Sequence, residues 1–566
     1  MQPVISANQM RQIDRLTTQN YQTPSLLLMQ AAAEACLRAI ETHFCGKLAD
    51  KKAQILCGQG NNGGDGAALA QELSRVGVTV DVVLFGTVAK ATGDARTNFE
   101  IVRRMAGFEA GSNSTVNRRP SALSFVECNS PSTWEELARP RRTYDLIVDA
   151  LFGTGLSRPM QGVFLQVVQH LALSRSARER STAARPLIVS VDIPSGLDAD
   201  SAQPIGEAVQ ADLTVTFTAP KAANVLPPAS HFNGKLVIAN IGSPTTLVEA
   251  ANPNLFVTEE NDVQEWLINT RYRPGSFKNS HGHAIVVAGS RGFTGAAVLC
   301  GNAAMQSGAG LVTIATPASA QSAIAAAVMP EVMTTALAET DRGAVSDQAI
   351  DHLTQLASKA TVIAIGPGLS AEDERTNRFV YEVVKHRKTP VLIDADGLNC
   401  LVRYSSSGWP EDLRGSQEAS LILTPHPGEM LRLLGTTDKS ILHDYVSMAR
   451  NFATKHKLIL LLKGTRSIVA APDGRVFINP TGNAGLGTAG SGDTLTGIIA
   501  GFVAQSIATC KDNADALSAT LAALYVGGLA GDLAASRIGM RTMVASDIRK
   551  HLSEVVRTLD PNGERP

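Results

Sequence analysis

The residues best suited to chemistry lie in a glycine-rich run near the end of the chain. Gly490-Ser491-Gly492-Asp493 opens an apolar helical stretch that continues from Thr494. Successive amides at a helix N-terminus form a concave anion site, which suits the terminal phosphate of a nucleotide. Asp493 falls in the first helical turn, where it could take a proton from a hydroxyl that attacks this phosphate. The alternative is an aspartate that only caps a helix.

Four further segments follow strand-like runs and could complete this site: Gly366-Pro367-Gly368, Asp394–Asn399, Thr424–Glu429 and Lys463–Ser467. His426 stands between two prolines, and this rigid turn favours a ligand contact over a solvated loop. Lys463 lacks the context of a P-loop, so it would contact a phosphate or a ribose in some other way. Glu429 could bind Mg²⁺ or simply begin a helix, and the sequence leaves both open.

A second glycine-rich run, GQGNNGGDG, lies between the strand-like Gln54–Cys57 and a helical stretch from Ala67. Glycine permits positive φ and close backbone approach, while Asn and Asp supply oxygen atoms. The N-terminus of the following helix favours a phosphate. The candidate contacts are Asn61, Asn62, Gly63, Gly64 and Asp65. The alternative is an ordinary turn between a strand and a helix.

Two aspartates follow buried-looking strands in the same half of the chain. Asp149 precedes the run at 153–159, and Asp192 lies within VDIPSGLD. A carboxylate just beyond a buried strand can bind a cation or move a proton. Asn62, Asp149 and Ser195 could form an all-oxygen site with one negative charge, which suits a monovalent cation better than zinc. Either aspartate could instead stabilise a turn.

The elements that must position these residues repeat one pattern. Short continuous apolar runs end in glycine-rich turns and give way to Ala- and Leu-rich helical stretches. Such runs indicate parallel strands buried on both faces, with ligands bound beyond their carboxyl ends. The predicted strands lie at 54–57, 78–85, 146–148, 187–191, 212–218, 284–288, 311–315, 362–365, 391–393, 421–423 and 458–462. We therefore predict the α/β class.

The strand–helix pattern falls into two blocks, which predict two domains at 1–243 and 277–558. Residues 244–276 contain three prolines and no strand–helix alternation, so we predict a linker there. Two polar, arginine-bearing insertions interrupt the first block at 113–142 and 174–185. We expect solvated surface loops at both, and an RNA-binding arm is the alternative.

Composition excludes several classes of partner. The 566 residues carry 51 Lys and Arg against 52 Asp and Glu, so no global field favours nucleic acid or an anionic membrane. Seven scattered cysteines without a CxxC pair indicate reduced thiols. The longest dense apolar run, 458–462, is far shorter than the roughly 20 residues that cross a bilayer, and no secretory signal is evident. We expect a cytoplasmic protein that binds neither nucleic acid nor membrane.

Over about residues 1–243, GNNGGDG, FGTGLSRP, VDIPSGLDAD and TFTAPK resemble the N-terminal domain of the bifunctional NAD(P)H-hydrate repair enzymes. The resemblance implies a Rossmann-like epimerase that interconverts the R and S forms of NADH or NADPH hydroxylated at C6 (NADHX, NADPHX). It implies that the hydrate contacts residues 61–65, Asp192 and a second loop, and that Asn62, Asp149 and Ser195 bind K⁺. That loop comprises Gly153, Thr154, Gly155, Leu156, Ser157, Arg158 and Pro159. Because C6 is a hemiaminal-type carbon beside N1, one acid/base group could serve, and we assign it to Asp192.

Over about 277–558, AGSRGFTGAA, IGPGL, IDADGLN, LTPHPGE, KGTRS and GSGDTLTG resemble the ribokinase-like ADP/ATP-dependent NAD(P)H-hydrate dehydratases. The resemblance implies a second catalytic group at Asp493, with ADP as co-substrate and Mg²⁺. The implied hydrate contacts are Ala297, Gly368, His426 and Asp493. The implied nucleotide contacts are Lys463, Gly464, Thr465, Arg466, Ser467 and Gly492. Ala489 and Asn279 each stand where the family usually has glycine.

Together the two resemblances imply repair of damaged NADH and NADPH. The epimerase supplies the S hydrate, and the dehydratase converts it to NAD(P)H while ADP becomes AMP and phosphate. They imply small-molecule partners (NADHX, NADPHX and ADP) and a homo-oligomer through the dehydratase domain. Two alternatives stay open. The C-terminal half could be a vitamin or sugar kinase, and the N-terminal half could be a noncatalytic nucleotide- or RNA-binding module.

Overall fold

The structure is a computed structural model that describes residues 1–110, 122–138, 143–179, 185–510 and 515–563. The chain divides into two compact units. The N-terminal unit is Pro3–Pro253, and the C-terminal unit comprises Met1–Gln2 and Asn254–Pro566. Strand β1 (Gln2–Val4) opens the chain. The α/β class with parallel sheets is confirmed in both units.

The N-terminal unit is built on seven strands that lie parallel in the order β4-β3-β2-β5-β6-β7-β8. Its strands are β2 (Lys52–Cys57), β3 (Thr79–Phe85), β4 (Leu123–Cys128), β5 (Leu146–Ala150), β6 (Leu187–Val191), β7 (Leu213–Phe217) and β8 (Lys235–Ala239). Its helices are α1 (Ala7–Asn20), α2 (Ser25–His43), α3 (Asn61–Arg75), α4 (Gly93–Ala110), α5 (Pro131–Ala138), α6 (Val163–Glu179), α7 (Ala222–Val225) and α8 (Thr245–Ala250). The strand order reverses between β2 and β5, and in such sheets a ligand crevice opens at this point.

The C-terminal unit contains ten further strands: β9 (Leu255–Val257), β10 (His283–Val287), β11 (Leu311–Pro317), β12 (Met333–Leu337), β13 (Val362–Ile365), β14 (Val391–Ile393), β15 (Leu421–Leu423), β16 (Ile459–Leu462), β17 (Ile468–Ala470) and β18 (Val476–Ile478). The sheet order is β1-β9-β18-β17-β16-β15-β14-β13-β10-β11-β12. Strands β10 to β16 are parallel, whereas β17 is antiparallel to both of its neighbours. The strand order reverses between β10 and β13, which predicts a second ligand crevice at this point.

The helices of the C-terminal unit are α9 (Glu260–Asn269), α10 (Thr294–Gln306), α11 (Ala318–Ala327), α12 (Ile350–Ala357), α13 (Glu374–Lys385), α14 (Asp396–Ser405), α15 (Pro427–Leu433), α16 (Tyr445–His456), α17 (Ser491–Thr509), α18 (Ala516–Ile538) and α19 (Ala545–Leu559). The absence of a side chain at Gly497 lets α10 and α17 pack closely. A Cβ at this position would lie 2.2 Å from the carbonyl oxygen of Cys300. Helix α18 is long and apolar enough to cross a bilayer, but 72% of its apolar window is buried inside the protein. It is therefore a core helix of this unit.

Two organisational predictions need correction. The predicted linker at 244–276 contains α8, β9 and α9, and β9 pairs with β18 in the C-terminal sheet. The strand and the helices of this segment are short, so its sequence contains no long apolar run that would have predicted them. The insertion predicted as a loop at 113–142 contains β4, which pairs with β3, and α5. Residues 113–121 and 139–142 of that insertion, and 180–184 of the other, lie outside the described residues, while 174–179 belong to α6.

Candidate active sites

The turn after β2 allows very close backbone packing at the point where the N-terminal sheet reverses. A Cβ at Gly58 would lie 2.0 Å from the carbonyl oxygen of Leu151, and one at Gly63 would lie 1.8 Å from that of Gly58. Only glycine fits these positions. Helix α3 begins at Asn61, so the predicted run Asn61–Asp65 forms its first turns. The glycines therefore bring a helix N-terminus against the loop that follows β5.

A cavity of about 840 Å³ opens beside this turn. It is lined by seven of the predicted contacts: Asn61, Asn62, Asp65, Gly153, Thr154, Gly155 and Asp192. Gly63 and Gly64 are buried within α3, and within the described chain neither they nor 156–159 line the cavity. Helix α2 contributes Met29 and Ala32 to the wall. The structure thus assembles most, though not all, of the predicted hydrate contacts.

Asp149 and Ser195 meet as predicted at the ends of β5 and β6. The Ser195 hydroxyl donates to Oδ1 of Asp149 at 2.6 Å, and its amide donates to Oδ2 at 2.9 Å. Ser190 donates to the same Oδ2 at 2.8 Å. Burial raises the pKa of Asp149, and these hydrogen bonds oppose the rise. The pair presents carboxylate and hydroxyl oxygens, the donor type expected for a hard monovalent cation.

Asn62 lies near the loop that follows Asp149. A Cβ at Gly153 would lie 3.1 Å from Oδ1 of Asn62. The Nδ2 atom of Asn62 is buried and has no hydrogen-bond partner among the described residues. Burial of a polar atom without a hydrogen-bond partner is costly, so the unpaired Nδ2 of Asn62 favours a ligand at this point.

Asp192 reaches the cavity from a strained backbone position at the end of β6. Its φ is 66°, a left-handed conformation that is unusual for a residue other than glycine. Its Oδ1 accepts hydrogen bonds from Lys221 Nζ at 2.7 Å and from Thr216 Oγ1 at 3.0 Å. Lys221 has no exposed surface and also donates to the carbonyl of Phe217 at 3.1 Å. The buried ammonium and the hydroxyl therefore fix the position of the Asp192 side chain at the cavity wall.

The cavity is also lined by charged residues that were not predicted as site residues: Arg11, Asp14, Arg15, Asp94 and Lys221. Lys221 is the last residue of TFTAPK, which served only as a family marker, and Asp14 lies in α1 without any recognisable motif. Burial raises the pKa of Asp14 to about 6, while Lys221 opposes and Asp192 adds to the rise. Burial also raises the pKa of Asp65 well above its ordinary range, with the charges of Asp192 and Asp14 adding to it. The carboxyl groups of Asp14, Asp65 and Asp192 therefore line one cavity with the buried ammonium of Lys221.

The C-terminal site is organised by a buried ion pair. Lys463, which follows β16, lies 2.7 Å from Oδ1 of Asp394, which follows β14. The other oxygen of Asp394 accepts a hydrogen bond from Thr496 Oγ1 at 2.7 Å, and the aspartate is 1% exposed. A Cβ at Gly492 would lie 3.4 Å from Lys463 Nζ. The first turn of α17 and the predicted nucleotide contact Lys463 are therefore neighbours.

The glycine-rich run before α17 has the geometry of an anion site. Gly490 has a φ of 81°, and a Cβ there would lie 2.4 Å from Leu299 Cδ1. The amides of Gly492 and Asp493 have no hydrogen-bond acceptor within the part of the chain that the structure describes. Ala489 is exposed just before the run, so its methyl group does not cover these amides. Two free amides at a helix N-terminus favour an anion.

Asp493 has the electrostatics of a proton acceptor. Burial raises the pKa of Asp493 to about 6, and the negative charges of Asp394 and Asp396 add to the rise while Lys463 opposes it. A carboxyl group with a pKa near 6 is partly ionised close to neutral pH and can exchange protons with a substrate. The predicted acid/base residue thus stands beside the anion site.

His426 and Glu429 cap a helix together. The amides of Gly428 and Glu429 donate to Nδ1 of His426 at 3.0 and 3.4 Å, and the His426 amide donates to Oε2 of Glu429 at 2.8 Å. Glu429 is 5% exposed, so the helix-start interpretation describes it better than the Mg²⁺ interpretation. The imidazole of His426 is about half exposed, with Nε2 3.6 Å from Glu429 Oε1. That nitrogen remains accessible to a ligand.

The remaining predicted contacts occupy the carboxyl ends of other strands. Gly368 has a φ of 64° and its carbonyl accepts a hydrogen bond from Ser290 Oγ at 2.8 Å. Ala297 is fully buried in α10, so its side chain packs beneath the surface. Gly464 and Thr465 are exposed in the loop after β16, where the Gly464 amide donates to Ser467 Oγ at 3.3 Å. Burial lowers the pKa of Arg466.

These features define a class of protein: a two-unit α/β chain with an acid-lined cavity in one unit and a phosphate-type site in the other. The family model described as NAD(P)H-hydrate dehydratase matches residues 284–554, and the one described as YjeF-related protein N-terminus matches 25–223. The bifunctional NAD(P)H-hydrate repair enzyme of Moorella thermoacetica is 38% identical over 99% of this chain and 98% of its own. That of Thermofilum pendens is 34% identical over 98% and 96%.

The chain therefore belongs to the family of bifunctional NAD(P)H-hydrate repair enzymes. Among solved structures it is similar to the ADP/ATP-dependent NAD(P)H-hydrate dehydratase of Bacillus subtilis, co-crystallised with ATP and Mg²⁺. That structure is 30% identical, with a TM-score of 0.45, and covers 54% of this chain and 99% of its own.

Proposed function

We propose that this protein repairs hydrated NADH and NADPH with one activity in each unit. The N-terminal unit epimerises the R and S hydrates, and the C-terminal unit dehydrates the S form at the expense of ADP. Family membership supports both activities. The observation that carries the dehydratase proposal is the arrangement of Asp493 beside two free amides and the Asp394–Lys463 pair.

The dehydratase chemistry follows from the leaving group. Hydroxide leaves C6 poorly, whereas phosphate leaves well. Asp493 takes the proton of the C6 hydroxyl, whose oxygen attacks the terminal phosphoryl group of ADP and releases AMP. The amides of Gly492 and Asp493 stabilise the charge on that group. The N1 lone pair then expels phosphate from C6, and loss of a proton from the adjacent carbon restores the dihydronicotinamide.

Mg²⁺ would supply charge neutralisation for the nucleotide phosphates at this site. Asp394 and Asp396 both raise the pKa of Asp493, whereas the nearby Lys463 lowers it, so negative charge exceeds positive charge around Asp493. This excess of negative oxygen atoms fits a divalent cation. We propose that the ion enters with the phosphates, since the two oxygens of Asp394 already accept hydrogen bonds from Lys463 and Thr496.

In the N-terminal unit we propose Asp192 as the acid/base group and K⁺ as the bound cation. The oxygens of Asp149 and Ser195 and the amide oxygen of Asn62 would hold it, and K⁺ would supply local positive charge beside the hydrate. Epimerisation rates in K⁺ and in Li⁺ at equal ionic strength test this assignment. Equal rates in both salts would contradict it.

The decisive experiment for the proposed function is nucleotide-dependent recovery of NADH from a mixture of R and S hydrates, with ADP and ATP compared. We expect complete recovery with ADP. Asp493→Asn should abolish dehydration and preserve epimerisation, and Asp192→Ala should do the opposite. Loss of both activities in either folded variant would contradict the assignment of one activity to each unit. A stable phosphorylated product without NADH would favour the kinase alternative, and tight RNA binding at physiological salt would favour the binding module.

Two further proposals concern the state of the protein in the cell. All seven cysteines, each within the described residues, are free, which supports the cytoplasm as its compartment. The homo-oligomer stays a proposal, supported by the exposed apolar side chains of Ile538, Met540 and Val544 at the end of α18 and the start of α19. Light scattering of the purified protein tests it, and a monomer at micromolar concentration would contradict it.

A further inference from the structure

Asp14 is a cavity residue that the family model does not include. It lies on α1, whereas the matched N-terminal segment begins at residue 25. Its side chain lines the cavity that contains Asp192. Its Oδ1 atom is buried and has no hydrogen-bond partner among the described residues. A buried carboxyl oxygen without a partner is costly, so its position favours a role toward a ligand.

The charges that face Asp14 come from several elements around the cavity. Asp192 follows β6, Lys221 precedes α7 and Asp65 lies in α3. Arg11 and Arg15, on the same helix as Asp14, are exposed and line the same cavity. Lys221 forms its 2.7 Å ion pair with Asp192, not with Asp14. Asp192 is therefore paired with Lys221, whereas the buried Oδ1 of Asp14 has no hydrogen-bond partner among the described residues.

Epimerisation at C6 requires two opposed proton transfers. The departing oxygen must gain a proton, and the returning water must lose one on the other face of the ring. Two carboxyl groups beside one ligand, one that donates a proton and one that accepts a proton, supply both. We propose that Asp14 is a second catalytic residue of the epimerase site, the proton donor to the C6 oxygen, with Asp192 as the proton acceptor. This inference rests on the proposed epimerase function.

The step balances without any further reactant. Asp14 gives its proton to the C6 hydroxyl, the C6–O bond breaks, and water leaves as the N1 lone pair forms a C6–N1 double bond. Water then attacks the opposite face of C6, a new C6–O bond forms, and Asp192 accepts the released proton. The electron pair of the double bond returns to N1. Exchange with solvent moves the proton from Asp192 back to Asp14.

The pH dependence of catalysis follows from this assignment. Asp14 acts in its protonated form, and burial raises the pKa of Asp14 to about 6. The active form is therefore lost as pH rises through about 6. We expect kcat/KM for epimerisation to fall about tenfold per pH unit above that value. Because the equilibrium between the two hydrates is independent of pH, the same decline holds in both directions.

Substitution of Asp14 tests the proposal in the full chain. We expect Asp14→Asn to lower epimerase kcat/KM by about 100- to 10,000-fold and to remove the decline near pH 6. Asp14→Glu, which keeps the carboxyl group, should restore part of the rate and the decline. Unchanged kcat/KM and an unchanged pH profile in Asp14→Asn would overturn the proposal. The proposal would also be overturned if Asp65→Asn removed the decline of kcat/KM near pH 6 while Asp14→Asn retained it.

Two controls separate this outcome from misfolding and from failure of the proposed function. Gln12→Ala changes an exposed side chain of the same helix and should leave epimerisation unchanged. Asp14→Asn should unfold at the same or a higher temperature than the natural protein at pH 8, since it removes a buried charge. Lower stability together with an unchanged pH decline would indicate a structural role. If the natural chain itself fails to epimerise the hydrates, the proposed function is wrong, whatever the variants do.

Discussion

The ammonium nitrogen of Lys221 lies 2.7 Å from Oδ1 of Asp192, and the lysine side chain has no exposed surface. Lys221 also donates to Thr216 Oγ1 at 3.0 Å, which in turn donates to the same aspartate oxygen. The backbone of Asp192 is held in a left-handed conformation at the end of β6. The pair therefore fixes the position of the Asp192 side chain at the cavity wall.

Removing Lys221 should affect both stability and epimerisation. In Lys221→Met the carboxylate of Asp192 stays buried without its counterion, which costs about 3–5 kcal/mol of unfolding free energy. We expect a strong loss of epimerase kcat/KM and lower stability, measured by urea unfolding of the N-terminal unit. Lys90→Met, at an exposed lysine, is the control. Natural stability and activity in Lys221→Met would show that the pair is dispensable.

The dehydratase should require ionised Asp493. Since burial raises the pKa of Asp493 to about 6, kcat/KM should rise with pH up to about 6 and level off above it. Steady-state rates on the S hydrate with saturating ADP between pH 5 and pH 8 measure this. Asp493→Asn should abolish dehydration, and with it the rise of kcat/KM with pH.

Asp351→Asn is the matched control for Asp493→Asn, because Asp351 is an exposed aspartate in the first turn of α12. It should behave as the natural protein. A carboxyl group whose pKa is raised by folding makes the protein less stable as pH rises through that pKa, because the ionised form is disfavoured in the folded state. Asp493→Asn should therefore be more stable than the natural protein at pH 8. A dehydratase rate that does not change between pH 5 and pH 7 would contradict the assignment of Asp493.

Lys463 should matter chiefly for nucleotide binding. Its ammonium lies between Asp394 and the first turn of α17, where a phosphate would be bound. Lys463→Met should raise KM for ADP at least about tenfold, equivalent to about 1.4 kcal/mol of binding free energy. Lys455→Met is the control, since it breaks only an exposed pair with Glu411. Equal KM values in both variants would exclude a role for Lys463 in nucleotide binding.

A methyl group at Gly63 should disrupt one activity only. The added Cβ would lie 1.8 Å from the carbonyl oxygen of Gly58, so the turn after β2 must move. Gly63→Ala should abolish epimerisation and preserve dehydration of the purified S hydrate. Gly107→Ala, where the new methyl group meets nothing within 4 Å, should retain both activities. Loss of dehydration in Gly63→Ala would show that the two activities are not independent.

Much of the architecture was predictable from local sequence. Continuous apolar runs predicted the central strands, including β13 and β16, because strands buried on both faces consist mainly of apolar residues. Glycine-rich turns after these strands predicted where ligands bind. The strands that escaped prediction are short or partly exposed, such as β4, with four half-buried residues, and the three-residue strands β17 and β18. Their pairing depends on neighbours that are distant in sequence.

The two sites divide in the same way. Asp149, Asp192 and Asp493 were found by their positions just after strands or glycine-rich turns, because backbone geometry of this kind is encoded within a few residues. Asp14 and Lys221 carry no such signal. Folding brings α1, β6 and the segment after β7 around one cavity, where burial raises the pKa of Asp14 and the charges of Lys221 and Asp192 modify it. Residue types and turns are local properties, whereas protonation depends on long-range burial and on charges that only tertiary packing brings together.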